Sequence, residues 1–207
     1  MHLYGLIIGL SIIIGLRYFE NHQHLIPKPK LLFFELGTIF SAIIGARIYH
    51  VVDNWIFYSQ NLTLIPQTWN GGLGIFGAIF GAVIFIYSYS LFFKFKILKL
   101  LNYLTPILPL CQSIGRLGNF SNHEIPTWWL EALPNLFLYL LIKIFPKNPT
   151  AKYFIGYGLI RFFTEFTRTD TWTVNNFKIA QIISIIFIVF GLILICHERS
   201  QIRQKHS

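Results

Sequence analysis

The fold is decided by an uncharged run of 23 residues, GGLGIFGAIFGAVIFIYSYSLFF, at positions 71–93. A helix that crosses the hydrocarbon core of a bilayer needs about 20 consecutive, mostly apolar residues, and this run is long enough. A second uncharged run of 18 residues, IAQIISIIFIVFGLILIC, occupies positions 179–196. Two such runs in one chain predict a membrane protein.

The composition of the whole chain agrees with this prediction. Charged residues make up 12% of the 207 residues, whereas a typical soluble domain has about 25%. Eight acidic and seventeen basic side chains cannot cover the surface of a soluble protein of this size. The composition therefore excludes a soluble globular enzyme, a disordered chain and a coiled coil. The net charge of +9 would suggest a nucleic-acid partner in a soluble protein, but here none is expected.

Weaker apolar runs complete a set of seven expected helices. We predict a single polytopic membrane domain over residues 1–207, all-α, with seven transmembrane helices. The expected spans are residues 2–19, 31–52, 71–93, 97–117, 127–145, 152–168 and 178–197. The first run lacks the basic start and the cleavage site of a signal peptide, so it is kept as a permanent helix. Small residues at four-residue spacing predict close helix contacts at Gly37, Ser41, Gly45, Gly77 and Gly81.

The basic residues predict the orientation of these helices. When lysines and arginines are assigned to alternating sides, twelve fall on one side and five on the other. Cytoplasmic loops of membrane proteins carry the excess of basic residues. We therefore expect an N-terminus outside the membrane and a cytoplasmic C-terminus.

The five bases on the outer side include four arginines at or inside helix ends, where charge is costly. On the sixth expected helix, Tyr157, Arg161, Glu165 and Arg168 share one face. Two guanidinium groups with one carboxylate between them leave a positive charge, and a guanidinium fork matches a phosphate. The alternative is that the arginines snorkel, or pair with Glu124, Glu131, Glu165 and Asp170.

A polar segment at the outer membrane edge indicates a cavity. Five charged, amide or imidazole side chains fall within nine residues, namely Arg116, Asn119, Asn122, His123 and Glu124. Irregular backbone at membrane depth is tolerated where it is buried in protein or lines a cavity. The residues alone thus predict a cationic site that faces the outer leaflet. A phosphate-bearing lipid is the natural occupant, and transport of an anion is the rival hypothesis.

These motifs resemble the prolipoprotein diacylglyceryl transferase family. The segment Gly115-Arg116-Leu117-Gly118-Asn119-Phe120, with Asn122 and Glu124, is similar to the family signature. Other similar segments follow the family order along the chain: Tyr4-Gly5-Leu6, Gly45-Ala46-Arg47, Trp69-Asn70-Gly71-Gly72, Gly156-Tyr157-Gly158 with Arg161, Glu165 and Arg168, and Gln181.

The resemblance implies an activity and roles for these residues. The family transfers a diacylglyceryl group from phosphatidylglycerol to the lipobox cysteine thiol of a preprolipoprotein, at the outer face of the bacterial plasma membrane. By resemblance, Arg116 and Arg161 are catalytic and polarise the lipid phosphate. Substrate-binding residues are expected to be Tyr4, Arg47, Asn119, Asn122, Glu124, Glu165, Arg168 and Gln181. No cofactor or metal ion is expected.

The sequence departs from the family pattern in two places. Phe76 stands where the family has a motif histidine, and the periplasmic head segment after the signature is absent, with its own histidine. A base for the thiol would then come from His123, His50 or His2, which all lie near the expected outer side. Three hypotheses follow: a minimal active transferase, which we favour, an inactive lipid-binding relative, and an anion or lipid transporter.

Overall fold

The computed structural model describes residues 2–122, 127–168, 173–174 and 177–206, and gives the backbone alone for His2, Asn70, Ile75, Val174, Phe177, Arg199 and 201–206. Within these residues the chain forms nine α-helices: α1 (His2–His22), α2 (Lys28–Asp53), α3 (Trp55–Gln60), α4 (Ile75–Phe92), α5 (Ile97–Leu104), α6 (Leu108–Ser121), α7 (Trp129–Ile144), α8 (Pro149–Thr164) and α9 (Ile179–His206). A 3₁₀ turn, Glu165–Thr167, continues α8. Two short antiparallel strands, β1 (Thr173–Val174) and β2 (Phe177–Lys178), precede α9.

The helices have the length and composition of membrane spans. In the described part of the chain, three helical segments are long and apolar enough to cross a bilayer: Leu3–His22, Lys28–Asp53 and Ile179–Glu198. Large apolar side chains on α9, such as Ile186 and Ile193, are more than half exposed, which suits contact with lipid rather than water. The prediction of an all-α membrane protein is confirmed. Helices α1, α2, α4, α7, α8 and α9 overlap six of the expected spans.

The remaining expected span, residues 97–117, differs from a single helix. It consists of α5 and α6, which are bent by 47° and together have the composition of a fourth span. The break falls beside Pro106, which lacks an N–H group and disfavours the helical conformation at the residue before it. Directly before Pro106, the hydroxyl of Thr105 donates to the carbonyl of Leu101 in α5 at 2.9 Å. The proline therefore explains the bend.

The chain divides into two compact units. The first comprises Met1–His22 and Leu101–Ser207. In it, α6 packs against α1 and α7, and α8 packs against α7 and α9. The Ser113 hydroxyl on α6 donates to the Ala132 carbonyl on α7 at 2.8 Å. On α8, a Cβ atom added at Gly158 would lie 2.8 Å from the Ser184 carbonyl oxygen of α9. These contacts place α6, α7 and α8 side by side.

The second unit comprises Gln23–Leu100 and is built on the pair α2 and α4. The predicted close contacts of small residues are confirmed in this pair. A Cβ atom added at Gly45 would lie 2.2 Å from the Gly77 carbonyl oxygen. A Cβ atom added at Gly81 would lie 2.1 Å from the Ser41 carbonyl oxygen. Only glycine allows the two backbones to approach this closely.

Candidate active site

The first unit contains an ion-pair cluster formed by α6, α7 and α8. Glu131, in the first turn of α7, lies at its centre. One carboxylate oxygen, Oε2, lies 2.5 Å from Nη2 of Arg116 on α6. The other oxygen, Oε1, accepts a hydrogen bond of 2.9 Å from Nη1 of Arg161 on α8. Glu131 therefore links two arginines that are 45 residues apart in the sequence.

Arg161 bridges two carboxylates. Its Nη1 contacts Glu131, and its Nη2 lies 2.8 Å from Oε2 of Glu165, the first residue of the 3₁₀ turn that continues α8. Arg168, which follows the 3₁₀ turn, places its Nη1 3.8 Å from Oε1 of Glu131. Arg116 also donates from Nη1 to the side-chain oxygen of Asn119 at 3.2 Å. The cluster thus holds three of the predicted arginines in one place.

The burial of these side chains divides the cluster into two layers. The side chains of Glu131 and Glu165 are 6% and 2% exposed, whereas those of Arg116, Arg161 and Arg168 are 23%, 20% and 18% exposed. The carboxylates form the buried layer and the guanidinium groups form the accessible one. Buried carboxylates require such partners, because an unpaired buried charge is strongly unfavourable. Among the residues that the structure describes, the cluster brings three guanidinium groups to two carboxylates, and its accessible layer is cationic, which suits an anion.

A polar layer lies one helical turn from the cluster along each of the three helices. Gln112 donates to the Tyr153 hydroxyl at 2.9 Å, and the Tyr153 and Tyr157 rings stack with centroids 5.7 Å apart. Asn135, 1% exposed, donates to the carbonyl of Glu131 at 2.8 Å. Because Gln112, Asn135 and Tyr157 each lie four residues from a cluster residue, they share its helix faces.

Three further predicted residues lie in the first unit. Tyr4 of α1 packs on α6, because a Cβ atom added at Gly118 would lie 3.0 Å from Cδ2 of the Tyr4 ring. Asn122 ends α6, and its backbone N–H bonds to the carbonyls of Gly118 and Phe120. Gln181, in the first turn of α9, has a buried amide nitrogen without a hydrogen-bond partner in the described part of the chain. Tyr4 therefore reaches the helix that carries Arg116.

Some predicted residues lie outside what the structure describes. His123 and Glu124 fall between residues 122 and 127, outside the described residues, and the side chain of His2 is likewise not described. The proposed contacts of these three residues stay predictions.

Arg47 and His50 lie in the second unit. Arg47 is 7% exposed, and its guanidinium donates to the carbonyls of Leu64, Ile65, Gly71 and Gly72 at 2.6–3.1 Å. These bonds hold the loop between α3 and α4 against α2. They use four of the five N–H groups of the guanidinium. Arg47 is thus engaged by backbone carbonyls of its own unit.

A cavity of about 220 Å³ lies beside this arginine. It is lined by His50, Tyr58, Phe57, Leu64 and the two glycines at 71 and 72. A Cβ atom at Gly72 would lie 2.6 Å from the His50 ring, and Gly72 has a φ of +70°, a conformation that favours glycine. Phe76, at the motif histidine position, lies on α4 with its ring 6.1 Å from that of Tyr49.

Sequence reasoning missed the central role of Glu131, which entered only as one of several candidate partners for the arginines. The signal was present, because Glu131 is the one charged residue in the run from Thr127 to Ile142. An ionisable residue inside a membrane segment is a candidate functional residue by default. What the sequence could not give is that α7 lies between α6 and α8.

Comparisons with known proteins found a family model and several relatives that match this chain. A family model described as prolipoprotein diacylglyceryl transferase matches residues 1–197. The phosphatidylglycerol--prolipoprotein diacylglyceryl transferase of Finegoldia magna is 34% identical, with 96% of this chain and 92% of that protein covered. Proteins of the same name from Clostridium novyi and Listeria innocua are each 32% identical, with 99% and 95% of this chain and 93% and 85% of those proteins covered.

These matches extend over nearly the whole chain and include both of its compact units. They confirm the resemblance that the signature segment around Arg116 and the motif around Arg161 suggested. The chain belongs to the prolipoprotein diacylglyceryl transferase family.

Proposed function

We propose that this chain transfers the diacylglyceryl group of phosphatidylglycerol to the lipobox cysteine thiol of a preprolipoprotein, the first step of bacterial lipoprotein maturation. One observation carries the proposal: Arg161 bridges the carboxylates of Glu131 and Glu165, and Arg116 also pairs with Glu131. This bridge fixes two guanidinium groups side by side on buried carboxylates. The names of the relatives support the choice of substrates.

The guanidinium groups of the cluster suit a reaction in which a phosphate group departs. The thiolate sulfur attacks the glycerol carbon of the lipid that is bonded to a phosphate oxygen. The carbon–sulfur bond forms as the carbon–oxygen bond breaks, and the electron pair stays on the phosphate of the departing glycerol phosphate. The proton of the thiol passes to a base. Arg116 and Arg161 stabilise the charge that accumulates on the phosphate, because the buried carboxylates already hold both guanidinium groups in place.

The other residues support this step. Asn119 orients Arg116 through its hydrogen bond, and Arg168 contributes the third guanidinium. We assign Tyr4, Asn122, Glu124 and Gln181 to the substrate cavity. For Arg47 the proposal is different, since four of its N–H groups already bind carbonyls. Arg47 shapes the loop between α3 and α4 rather than holding the lipid phosphate directly.

The base is proposed to be a histidine, namely His123, His50 or His2. Of these, His50 lines the cavity beside Arg47. Because Phe76 stands where the resemblance places the motif histidine, a histidine base would come from another part of the chain. Alanine variants of the three histidines identify it: the variant of the base loses turnover and retains lipid binding.

We further propose the arrangement in the membrane. The chain has seven spans with the N-terminus outside and the C-terminus in the cytoplasm, in the bacterial plasma membrane, and the cluster faces the outer leaflet. The partition of twelve bases against five supports this orientation. The outer side of the membrane is also the side on which a translocated preprolipoprotein would present its thiol.

The experiment is turnover by the purified protein in detergent with phosphatidylglycerol and a lipobox peptide. Mass spectrometry follows the peptide, and a second assay follows release of glycerol phosphate. We expect a diacylglyceryl adduct that is lost in Arg161→Ala and retained in Arg17→Ala, which removes an exposed arginine of α1. Normal turnover by Arg161→Ala would refute the role of the cluster.

The same experiment tests the inactive-relative hypothesis, which Phe76 favours. Binding of phosphatidylglycerol without any adduct would support a lipid-binding relative and refute transfer. Retention of the complete cluster favours the active enzyme, because each guanidinium that would polarise the phosphate is present and paired.

A further inference from the structure

Lys178 makes a contact that no part of the proposed mechanism uses. It ends strand β2, immediately before α9. Its ammonium group donates to the backbone carbonyl of Glu165 at 2.6 Å and to that of Arg168 at 3.0 Å. Both carbonyls lie at the C-terminal end of α8 and its 3₁₀ turn. The lysine therefore joins the segment before α9 to the end of α8.

This position suits a lysine on general grounds. The last carbonyls of a helix have no partner within the helix and carry the negative end of its dipole. A lysine side chain there satisfies them by hydrogen bonds and by charge. These effects alone would give Lys178 a structural role at any helix end.

What distinguishes Lys178 is the identity of the two residues that it holds. The Glu165 side chain pairs with Arg161 at 2.8 Å, and the Arg168 side chain reaches within 3.8 Å of Glu131. One ammonium group thus fixes the backbone from which two members of the cluster project. A shift of this backbone would move a carboxylate and a guanidinium together.

One backbone hydrogen bond of the turn is long. The N–H of Arg168 bonds to the Glu165 carbonyl at 3.4 Å, which is near the limit for a hydrogen bond. The Lys178 ammonium reaches the same Glu165 oxygen at 2.6 Å. The shorter, charge-assisted bond is the stronger of the two. Lys178 therefore reinforces the turn, which is also held by the Thr167 hydroxyl bound to the Thr164 carbonyl at 2.8 Å.

We propose that Lys178 is a positioning residue of the transferase, which holds the end of α8 so that Glu165 and Arg168 keep their places in the ion-pair cluster. The proposal rests on the proposed function for its effect on turnover. Misplacing a catalytic group by about 1 Å can reduce a rate by about 100-fold. Loss of the lysine therefore lowers kcat, while affinity for the lipobox peptide is retained.

The test compares three variants of the full-length protein in the transfer assay. Lys178→Met removes the donors and keeps the apolar stem, and Lys178→Arg keeps both charge and donors. Lys152→Met is the matched control, because the Lys152 ammonium donates to the carbonyl of Phe145 at the end of α7, outside the cluster. We expect kcat to fall at least about tenfold in Lys178→Met, with a smaller loss in Lys178→Arg and none in Lys152→Met.

A second measurement does not depend on turnover. Hydrogen–deuterium exchange of peptides covering residues 161–168 should be faster in Lys178→Met than in the wild type, and unchanged in Lys178→Arg. Unchanged exchange in Lys178→Met overturns the proposal, even if turnover falls. Faster exchange with normal kcat overturns it as well. If the wild type itself shows no transfer, the proposed function fails, and the exchange result alone decides whether Lys178 holds the turn.

Discussion

Glu131 is the residue on which the geometry of the candidate site depends most. It contacts Arg116 and Arg161 directly and lies near Arg168, although its own side chain is almost completely buried. Without its charge, Arg116 would lose its only carboxylate partner among the described residues, and Arg161 would keep Glu165 alone. Like charges in a poorly solvated site repel one another strongly, so the arginines would separate.

We therefore predict that Glu131→Gln lowers turnover by about 100-fold, since the guanidinium groups no longer converge on one acceptor. The substitution keeps the size of the side chain and removes only its charge. The transfer assay measures the effect, and gel filtration in detergent reports whether the variant is folded.

The matched control is Glu20→Gln, which removes the acidic partner of Arg17 in an exposed pair on α1. Exposed pairs contribute about 0–1 kcal/mol, so this variant should retain normal turnover. If Glu131→Gln is folded and as active as the control, the cluster is not organised around Glu131.

The sequence predicted the arginines of the site better than their partners. Arg161, Glu165 and Arg168 were predicted to share a face, because four-residue spacing is read directly from one helix. The bridge from Arg161 to Glu131 joins different helices. No spacing rule relates residues on separate helices, so this contact needed the packing of α7 beside α8. The same reason explains why the Lys178 contact was not predicted.

At the scale of elements, the pair α2 and α4 depends on glycine. A Cβ atom at Gly45 would lie 2.2 Å from the Gly77 carbonyl oxygen, and that neighbour is backbone, which cannot rotate away. Helices in membranes associate through such close packing, because lipid supplies little hydrophobic driving force between them. The spacing of Gly37, Ser41, Gly45, Gly77 and Gly81 predicted that these helix faces are closely packed, but not that α2 and α4 pack against each other. The bend between α5 and α6 was not predicted, although Pro106 is its visible cause.

We predict that Gly45→Ala destabilises the protein by about 1–3 kcal/mol, because the added methyl group forces α2 and α4 apart. Thermal unfolding in detergent, followed by tryptophan fluorescence, measures the change as a lower Tm. Gly9→Ala is the matched control, since a Cβ atom at Gly9 meets nothing within 4 Å. Alanine favours helix over glycine, so this variant should keep or raise the Tm. An equal Tm for both variants would show that the contact contributes nothing.

At the scale of the molecule, the question is how many helices cross the membrane and in which direction. Within the described residues, three helices and one bent pair satisfy the length and composition of a span. Helix α4 counts as a shorter apolar helix over Phe76–Phe92, and α7 and α8 are 16 residues each. At 1.5 Å per residue these two helices are about 24 Å long, which is shorter than the hydrocarbon core of about 30 Å. A hydropathy profile that looks for spans of about 20 residues therefore gives only a weak signal for α7 and α8. The charge pattern is the stronger argument, since one missed helix would mix the twelve inner bases with the five outer ones.

The proposed orientation places the segment after α3 outside the cell and the segment between α7 and α8 inside. We predict that a cysteine introduced by Gln60→Cys reacts with a membrane-impermeant maleimide in intact cells. One introduced by Lys147→Cys should react only after the cells are permeabilised. Both positions are exposed, and Cys111→Ser with Cys196→Ser removes the two native thiols.

Because seven alternating spans put these positions on opposite sides, labelling of both in intact cells would contradict the seven-span arrangement. Labelling of Lys147→Cys alone would reverse its orientation, and would put the ion-pair cluster on the cytoplasmic side, where no translocated thiol arrives.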